Sequence, residues 1–136
     1  MLRAIDVHNG IYLARLDVHT TVTPEGRVRR VFTQGVSYGP NDRPGSPQVE
    51  IREGQLSAAQ MAELAQLFAG WESLSDQYDG VPDGPEVVFR YGDKQIRGGM
   101  LPRQVWTAYK RIEQLAELMP RVGPTTQDTH NDGAKR

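Results

Sequence analysis

The chain has 136 residues, with 16 Lys plus Arg against 17 Asp plus Glu, 38% hydrophobic residues, 14 Gly, 9 Pro and no Cys. A net charge of -1 argues against nucleic-acid binding through bulk charge, and the lack of Cys excludes disulfides, thiolate nucleophiles and Cys-based zinc sites. No run approaches the ~18 apolar residues of a membrane span and no secretory signal opens the chain, so one soluble, cytoplasmic domain is expected.

Gly and Pro make up about 17% of the chain against about 12% on average, so turns organise the reading. Ile5 to Leu13 is extended and split by Asn9-Gly10, the dipeptide best suited to a type I′ turn. A hairpin there would set His8 opposite Ile11 and Ile5 opposite Ala14. One face then carries Ile5, Val7, Tyr12, Ala14, Leu16 and Val18. Thr23-Pro24-Glu25-Gly26 marks the next turn, with Val22 opposite Val28 and Val18 opposite Phe32 on the same apolar face. A three-stranded meander over about residues 3 to 34 is predicted. Residues 35 to 47 hold three Gly and three Pro, which no regular element survives.

A short strand is expected over Gln48 to Glu53, where Val49 and Ile51 alternate with charges. Ser57 reads as a helix N-cap with Gln60 as its capping-box partner and Leu56 stapling Met61. That helix should run to about Ala69, bury Met61, Leu64, Ala65 and Phe68, and stop at Gly70. After a Gly/Pro loop at 79 to 85, Val87 to Tyr91 and Lys94 to Arg97 form a hairpin over Gly92-Asp93, with Phe89 opposite Ile96. Pro102 suits the first turn of a last helix, whose stripe is Val105, Ala108, Tyr109, Ile112, Leu115, Ala116 and Met119. Pro120 ends it, and the polar residues 121–136 are expected to be a disordered tail.

This order predicts an α+β class: a largely antiparallel sheet of meander, short strand and later hairpin, with two amphipathic helices on one face of a single domain over 1–120. The other sheet face should be polar, showing Asp6, His8, Ile11, Leu13, Arg15, Asp17, His19, Thr21, Arg27, Arg29 and Thr33. Each outer strand is an edge open to pairing, so the oligomeric state is left undecided. Residues 1–47 carry six Arg against four acids, while 48–119 carry seven basic residues against eleven acidic ones.

Several patterns bear on chemistry. Gly35-Val36-Ser37-Tyr38-Gly39 matches the G-x-S-x-G nucleophile elbow, but Pro40, Pro44 and Pro47 forbid the helix that must follow. Asp-Val-His occurs at 6–8 and again at 17–19. On the Asn-Gly register the two Asp lie four residues apart along the ladder, about 13 Å, too far to share one metal ion. Asp76, Asp79 and Asp83 miss the EF-hand spacing and read as turn residues. Arg97-Gly98-Gly99-Met100 lacks the Lys-Ser/Thr of a P-loop. Trp71 and Trp106 suit packing better than base stacking. No catalytic residue, cofactor or metal is predicted. The candidate binding residues are Arg15, Asp17, His19, Arg27 and Arg29 on the open face, with Tyr38, Asn41, Asp42 and Arg43 in the long loop.

From Val49 onward, the run Val-x-Ile, Leu56-Ser57-x-x-Gln60, Leu64, Leu67-Phe68, Leu74, Tyr78, Val87-x-Phe89-x-Tyr91-Gly92 and Leu101-Pro102 resembles the emfourin-type inhibitors of bacterial thermolysin-like metalloproteases. The resemblance covers about half of the chain and implies the fold class more than the inhibition. A Gly-Gly-Phe-type N-terminal segment of those inhibitors is absent, so no functional residue carries over. The expected function is a small non-enzymatic protein-interaction module, an inhibitor or an accessory protein whose partner is another protein. The alternatives are an enzyme or small-ligand binder using His19, Arg15, Asp17 and Arg29, and nucleic-acid contact through Arg15, Arg27, Arg29 and Arg30.

Overall fold

The computed structural model describes residues 1–11, 14–35, 48–82 and 84–122. Strands β1 (Ile5–Ile11), β2 (Leu16–Val22), β3 (Arg27–Gln34), β4 (Gln48–Gln55), β5 (Pro85–Tyr91) and β6 (Lys94–Gly98) form one open antiparallel sheet. Its order is β4-β3-β2-β1-β5-β6. Helices α1 (Ala58–Leu67) and α2 (Arg103–Glu117) pack on one face, which is the α+β arrangement expected. Among the described residues no helix is long and apolar enough to cross a membrane.

The Asn9-Gly10 turn does not form. β1 runs straight through both residues and reverses beyond Ile11, so Ile5 pairs with Val22 rather than Ala14, and His8 pairs with His19 rather than Ile11. The physical reason is the length of the ladder. A turn at residues 9 and 10 would leave β1 only a short ladder, whereas the observed β1 is paired along seven residues to β2 and along seven to β5. The partner of Ile5 slips by eight residues, an even number, so every residue before Asn9 keeps its face. Ile11 is the exception: it joins β1 on the helix side instead of the open side, while Tyr12 and Leu13 lie outside the described residues.

The later elements follow their local chemistry. Val22 faces Val28 and Val18 faces Phe32, across a turn closed by Gly26 N–H to the Thr23 carbonyl at 2.8 Å. β4 extends to Gln55, two residues past the expected end. The Ser57–Gln60 capping box forms in both directions, and α1 stops at Leu67, after which Gly70 takes a left-handed φ of 83°. A short 3-10 turn, Trp71–Ser73, buries Trp71 in an aromatic cluster with Phe68 and Phe89. Phe89 faces Ile96 over the Gly92-Asp93 turn. Pro102 sits at the N-cap of α2, one residue before its first turn.

Apolar residues of the helix-side face, Ile5, Val7, Val22, Val28, Phe89 and Ile96, are buried against Leu64, Phe68, Val105, Ile112 and Leu115. Three polar residues are buried on the same face: Asn9, Thr20 and Arg30. α2 supplies their partners. Asn9 Nδ2 donates to the Tyr109 hydroxyl at 2.8 Å, Thr20 Oγ1 donates to Glu113 at 2.8 Å, and Arg30 Nε donates to Glu113 at 2.7 Å. Burial pushes the Tyr109 phenol above its ordinary pKa. Arg30, named with Arg15, Arg27 and Arg29 for nucleic-acid contact, shares the helix side with Val28 and lies under α2, 5.4 Å from the Phe32 ring.

Each outer strand is partly covered by a single isolated bridge. At β6, Arg97 N–H donates to the Asp76 carbonyl and Tyr78 N–H to the Arg97 carbonyl, both at 2.9 Å. At β4, Glu53 N–H donates to the Pro120 carbonyl at 3.2 Å and Val122 N–H to the Ile51 carbonyl at 2.9 Å. Arg121 bridges Arg52 of β4 at this edge, one residue past the expected domain end at 120. Residues 123–136 lie outside the described residues. Glu50 anchors this corner through Arg52 at 3.0 Å and Arg121 at 3.1 Å. The hydrogen bond from Arg52, with the charges of Arg52, Arg121 and Arg30, holds the Glu50 carboxyl below its usual 4.5.

Two outcomes follow for stability. Glu113→Ala removes the buried partner of Arg30, where both side chains are only 11% and 12% exposed, and leaves it the exposed Glu117 at 3.5 Å; it should cost about 3 kcal/mol in urea unfolding, and a loss below about 1 kcal/mol would show a solvent-screened pair. Because the Glu50 carboxyl is depressed in the fold, its contribution is present above the unfolded value of 4.5 and fades as pH falls through the folded one. The urea-midpoint gap between wild type and Glu50→Gln should therefore be full at neutral pH and close in acid. A gap that persists in strong acid would contradict it.

Candidate functional site

Side chains alternate along each strand, so the face away from the helices takes the even residues of β1 and β5 and the odd residues of β2, β3, β4 and β6. The registers arrange them in three rows across the sheet. The middle row reads Ile51, Val31, His19, His8, Val88, Arg97. One flanking row reads Glu53, Arg29, Thr21, Asp6, Arg90, Gln95, and the other reads Val49, Thr33, Asp17, Gly10, Glu86.

The centre of this face is built by the repeated Asp-Val-His. β1 and β2 are antiparallel, so the two copies oppose each other head to tail, with His8 directly across from His19. Their rings meet edge to face, centroids 5.6 Å apart. Each imidazole then reaches diagonally to the carboxylate of the other strand: His8 Nε2 lies 2.5 Å from Asp17 Oδ1, and His19 Nε2 lies 3.0 Å from Asp6 Oδ1. The result is two His–Asp pairs related by a local twofold axis. All four side chains remain 27% to 49% exposed. The two Asp stay four positions apart along the ladder, as expected, and the two His come together between them. Among the described residues no three His, Asp or Glu side chains converge on a point that would hold a metal ion.

Charged neighbours complete the surface. Arg29 Nε meets Glu53 at 3.0 Å, Arg97 meets Glu86 at 3.4 Å, and Arg90 Nε donates to Gln95 at 2.7 Å. A depression of about 300 Å³ beside the His8–Asp17 pair is lined by His8, Gly10, Asp17, Gly84, Glu86, Val88 and Arg97.

Of the residues singled out from sequence, Asp17, His19 and Arg29 share this face, with Arg27 at its margin on β3. Arg15 is not on it: it occupies the β1–β2 turn with a left-handed φ of 55°, and its carbonyl accepts from Gly35 N–H at 2.9 Å. Tyr38, Asn41, Asp42 and Arg43 lie outside the described residues. The arginine cluster is dispersed, since Arg30 is turned to the helix side and paired with Glu113. His8, Asp6, Gly10, Glu86 and Arg97 were missed as site residues. The eleven-residue offset of the two Asp-Val-His copies was the available signal, since a hairpin reversing near residues 13 and 14 sets the two His face to face.

Because these pairs are exposed, they hold little of the fold. His8→Ala and His19→Ala should each change unfolding free energy by about 1 kcal/mol or less, a small shift in a thermal melt; a drop of several kcal/mol would make the quartet structural. No family model, no curated protein and no solved structure matches this chain.

Proposed function

We propose that the protein is a small non-enzymatic protein-interaction module, an inhibitor or accessory protein acting in the cytoplasm, whose partner docks on the open face of the sheet. The observation that carries this reading is the banding of that face. The middle row, Ile51, Val31, His19, His8, Val88 and Arg97, holds one permanent charge at its β6 end and has Ile51 buried at the other, between two rows rich in Asp, Glu, Arg and Thr. A weakly charged centre inside a polar rim is the composition of a docking surface. Its size also fits: six strands about 4.8 Å apart and about 20 Å long give a footprint of ~600 Å² before side-chain relief, against ~800 Å² per partner in a standard interface.

The face is broad and shallow, which suits another protein better than a small substrate. The resemblance to emfourin-type inhibitors implies the fold class more than the inhibition, and it supplies a concrete probe, a thermolysin-like metalloprotease.

The test compares wild type with a sheet-face variant, His8→Ala/His19→Ala/Val88→Glu, and a helix-face variant, Lys110→Glu. Quantitative co-purification from the source cells should lose its partner with the sheet-face variant and keep it with Lys110→Glu. Equal retention by both would end the reading. Inhibition of a thermolysin-like protease by wild type and Lys110→Glu, lost in the sheet-face variant, would fix the inhibitor form; no inhibition by wild type would leave only the accessory form.

A further inference from the structure

We infer that Asn9-Gly10 is a self-modification site held shut by the fold, one that closes to a succinimide, and so to aspartate or isoaspartate, only when β1 leaves the sheet. The architecture does not explain the dipeptide. No turn forms there and Gly10 has no positive φ to demand a glycine, yet glycine inside a central strand weakens it. Its chemistry is distinctive. In an unpaired chain the Gly10 amide nitrogen attacks Asn9 Cγ, unhindered by any side chain on Gly10; a C–N bond forms and ammonia leaves. Water then opens the ring at either carbonyl, giving aspartate or an isoaspartyl linkage, with no oxidant or reductant involved.

The native state opposes this reaction in the backbone and in the side chain. Ring closure swings the Gly10 nitrogen over Asn9 Cβ, whereas an antiparallel strand keeps ψ at about +135° and the two far apart. That ψ is locked, because Asn9 pairs with Val18 and Val87, and Gly10 with Asp17 and Glu86. The side chain is tethered as well: Asn9 is 7% exposed, and its Nδ2 donates to the Tyr109 hydroxyl at 2.8 Å. Oδ1 has no hydrogen-bond partner among the described residues, so nothing polarises the Cγ carbonyl for attack. Both products oppose refolding. Aspartate puts a carboxylate where Asn9 is buried beside Tyr109. Isoaspartate adds a backbone atom to β1 and throws Gly10 and Ile11 off both ladders. Opening of β1 is thereby converted into a permanent covalent mark.

The experiment ages the full chain in mildly alkaline buffer, with and without urea, and follows the tryptic peptide Ala4–Arg15, in which Asn9 is the one asparagine. Mass spectrometry reads the amide-to-carboxyl conversion, and an isoaspartate-specific methyltransferase reads the isoaspartyl share. Conversion at Asn9 is expected in urea, and at least about tenfold more slowly in buffer. Tyr109→Phe, with its native fold checked by NMR, should convert about fivefold faster than wild type in buffer. After urea is removed, the converted fraction of the wild type should lack the native spectrum, while Gly10→Ala aged in parallel converts less and recovers. No conversion in urea, equal rates in buffer and urea, or full recovery of the native spectrum by converted chains would overturn the inference, as would a folded Tyr109→Phe no faster than wild type. If Tyr109→Phe does not fold, wild type across a urea series serves instead: conversion should follow the unfolding curve, and a rate flat through the transition would overturn the inference.

Discussion

Everything in this molecule depends on β1 being bonded on both sides. It is the strand that joins the meander to the later hairpin, pairing with β2 on one edge and β5 on the other along seven residues each. Its alternation decides what both faces can be. Ile5, Val7 and Asn9 are committed to the helices, so Asp6, His8 and Gly10 are necessarily presented outward. A one-residue slip would bury Asp6 and His8 and expose Ile5 and Val7. The cost of that exchange keeps the register, and with it the opposition of His8 and His19.

The helix side carries a second constraint, on position rather than on burial. The apolar stripe of α2 would tolerate sliding along the sheet, since Val105, Ala108, Ile112 and Leu115 are all smooth aliphatic contacts. Glu113 removes that freedom by accepting from both Thr20 and Arg30, on adjacent strands, and Glu117 approaches the same Arg30 at 3.5 Å. Tyr109 ties the preceding turn of the helix to Asn9. Buried pairs of this kind add little net stability compared with an apolar replacement. Their directionality fixes where the helix stops along its axis. Arg52 reinforces the stop by donating to the Met119 carbonyl at 2.7 Å, beyond the last turn.

Much of this architecture is legible in the sequence where a local rule and the global fold agree. Ser57 with Gln60, Gly92-Asp93, and the pairing of Val22 with Val28 each follow from short-range chemistry, and the 3.6 period of α2 survives intact. Asn9-Gly10 shows the opposite case. The dipeptide has the right intrinsic preference for a tight turn, yet a longer ladder with two neighbours outweighs a preference worth at most ~1 kcal/mol. Faces survived that error because the slip was even; the site did not, because a site depends on which residues are opposite, not only on which side they lie. The side of Arg30 follows from the Val22–Val28 register, but its partner Glu113 lies 83 residues later and no local pattern encodes that. The edge coverings at Gln77 and Arg121 are equally non-local, single bridges made after the chain has folded back.

These features together leave one broad polar surface among the described residues. The helix-side face is consumed by the core, and the two sheet edges are partly capped by residues 76–78 and 120–122. What remains broad and presented is the open face, where the polar side chains pair with one another rather than with the core. Self-paired exposed charges add little to stability, so their arrangement is free of the demands that fix Glu113 or Arg52. A surface whose substitution leaves the fold intact, but whose rows are ordered by the same register that builds the core, inherits rigid geometry from the scaffold and pays nothing in stability for its own chemistry. The His8–His19 centre has that combination of fixed position and replaceable side chains, which is what the proposed docking role would require of it.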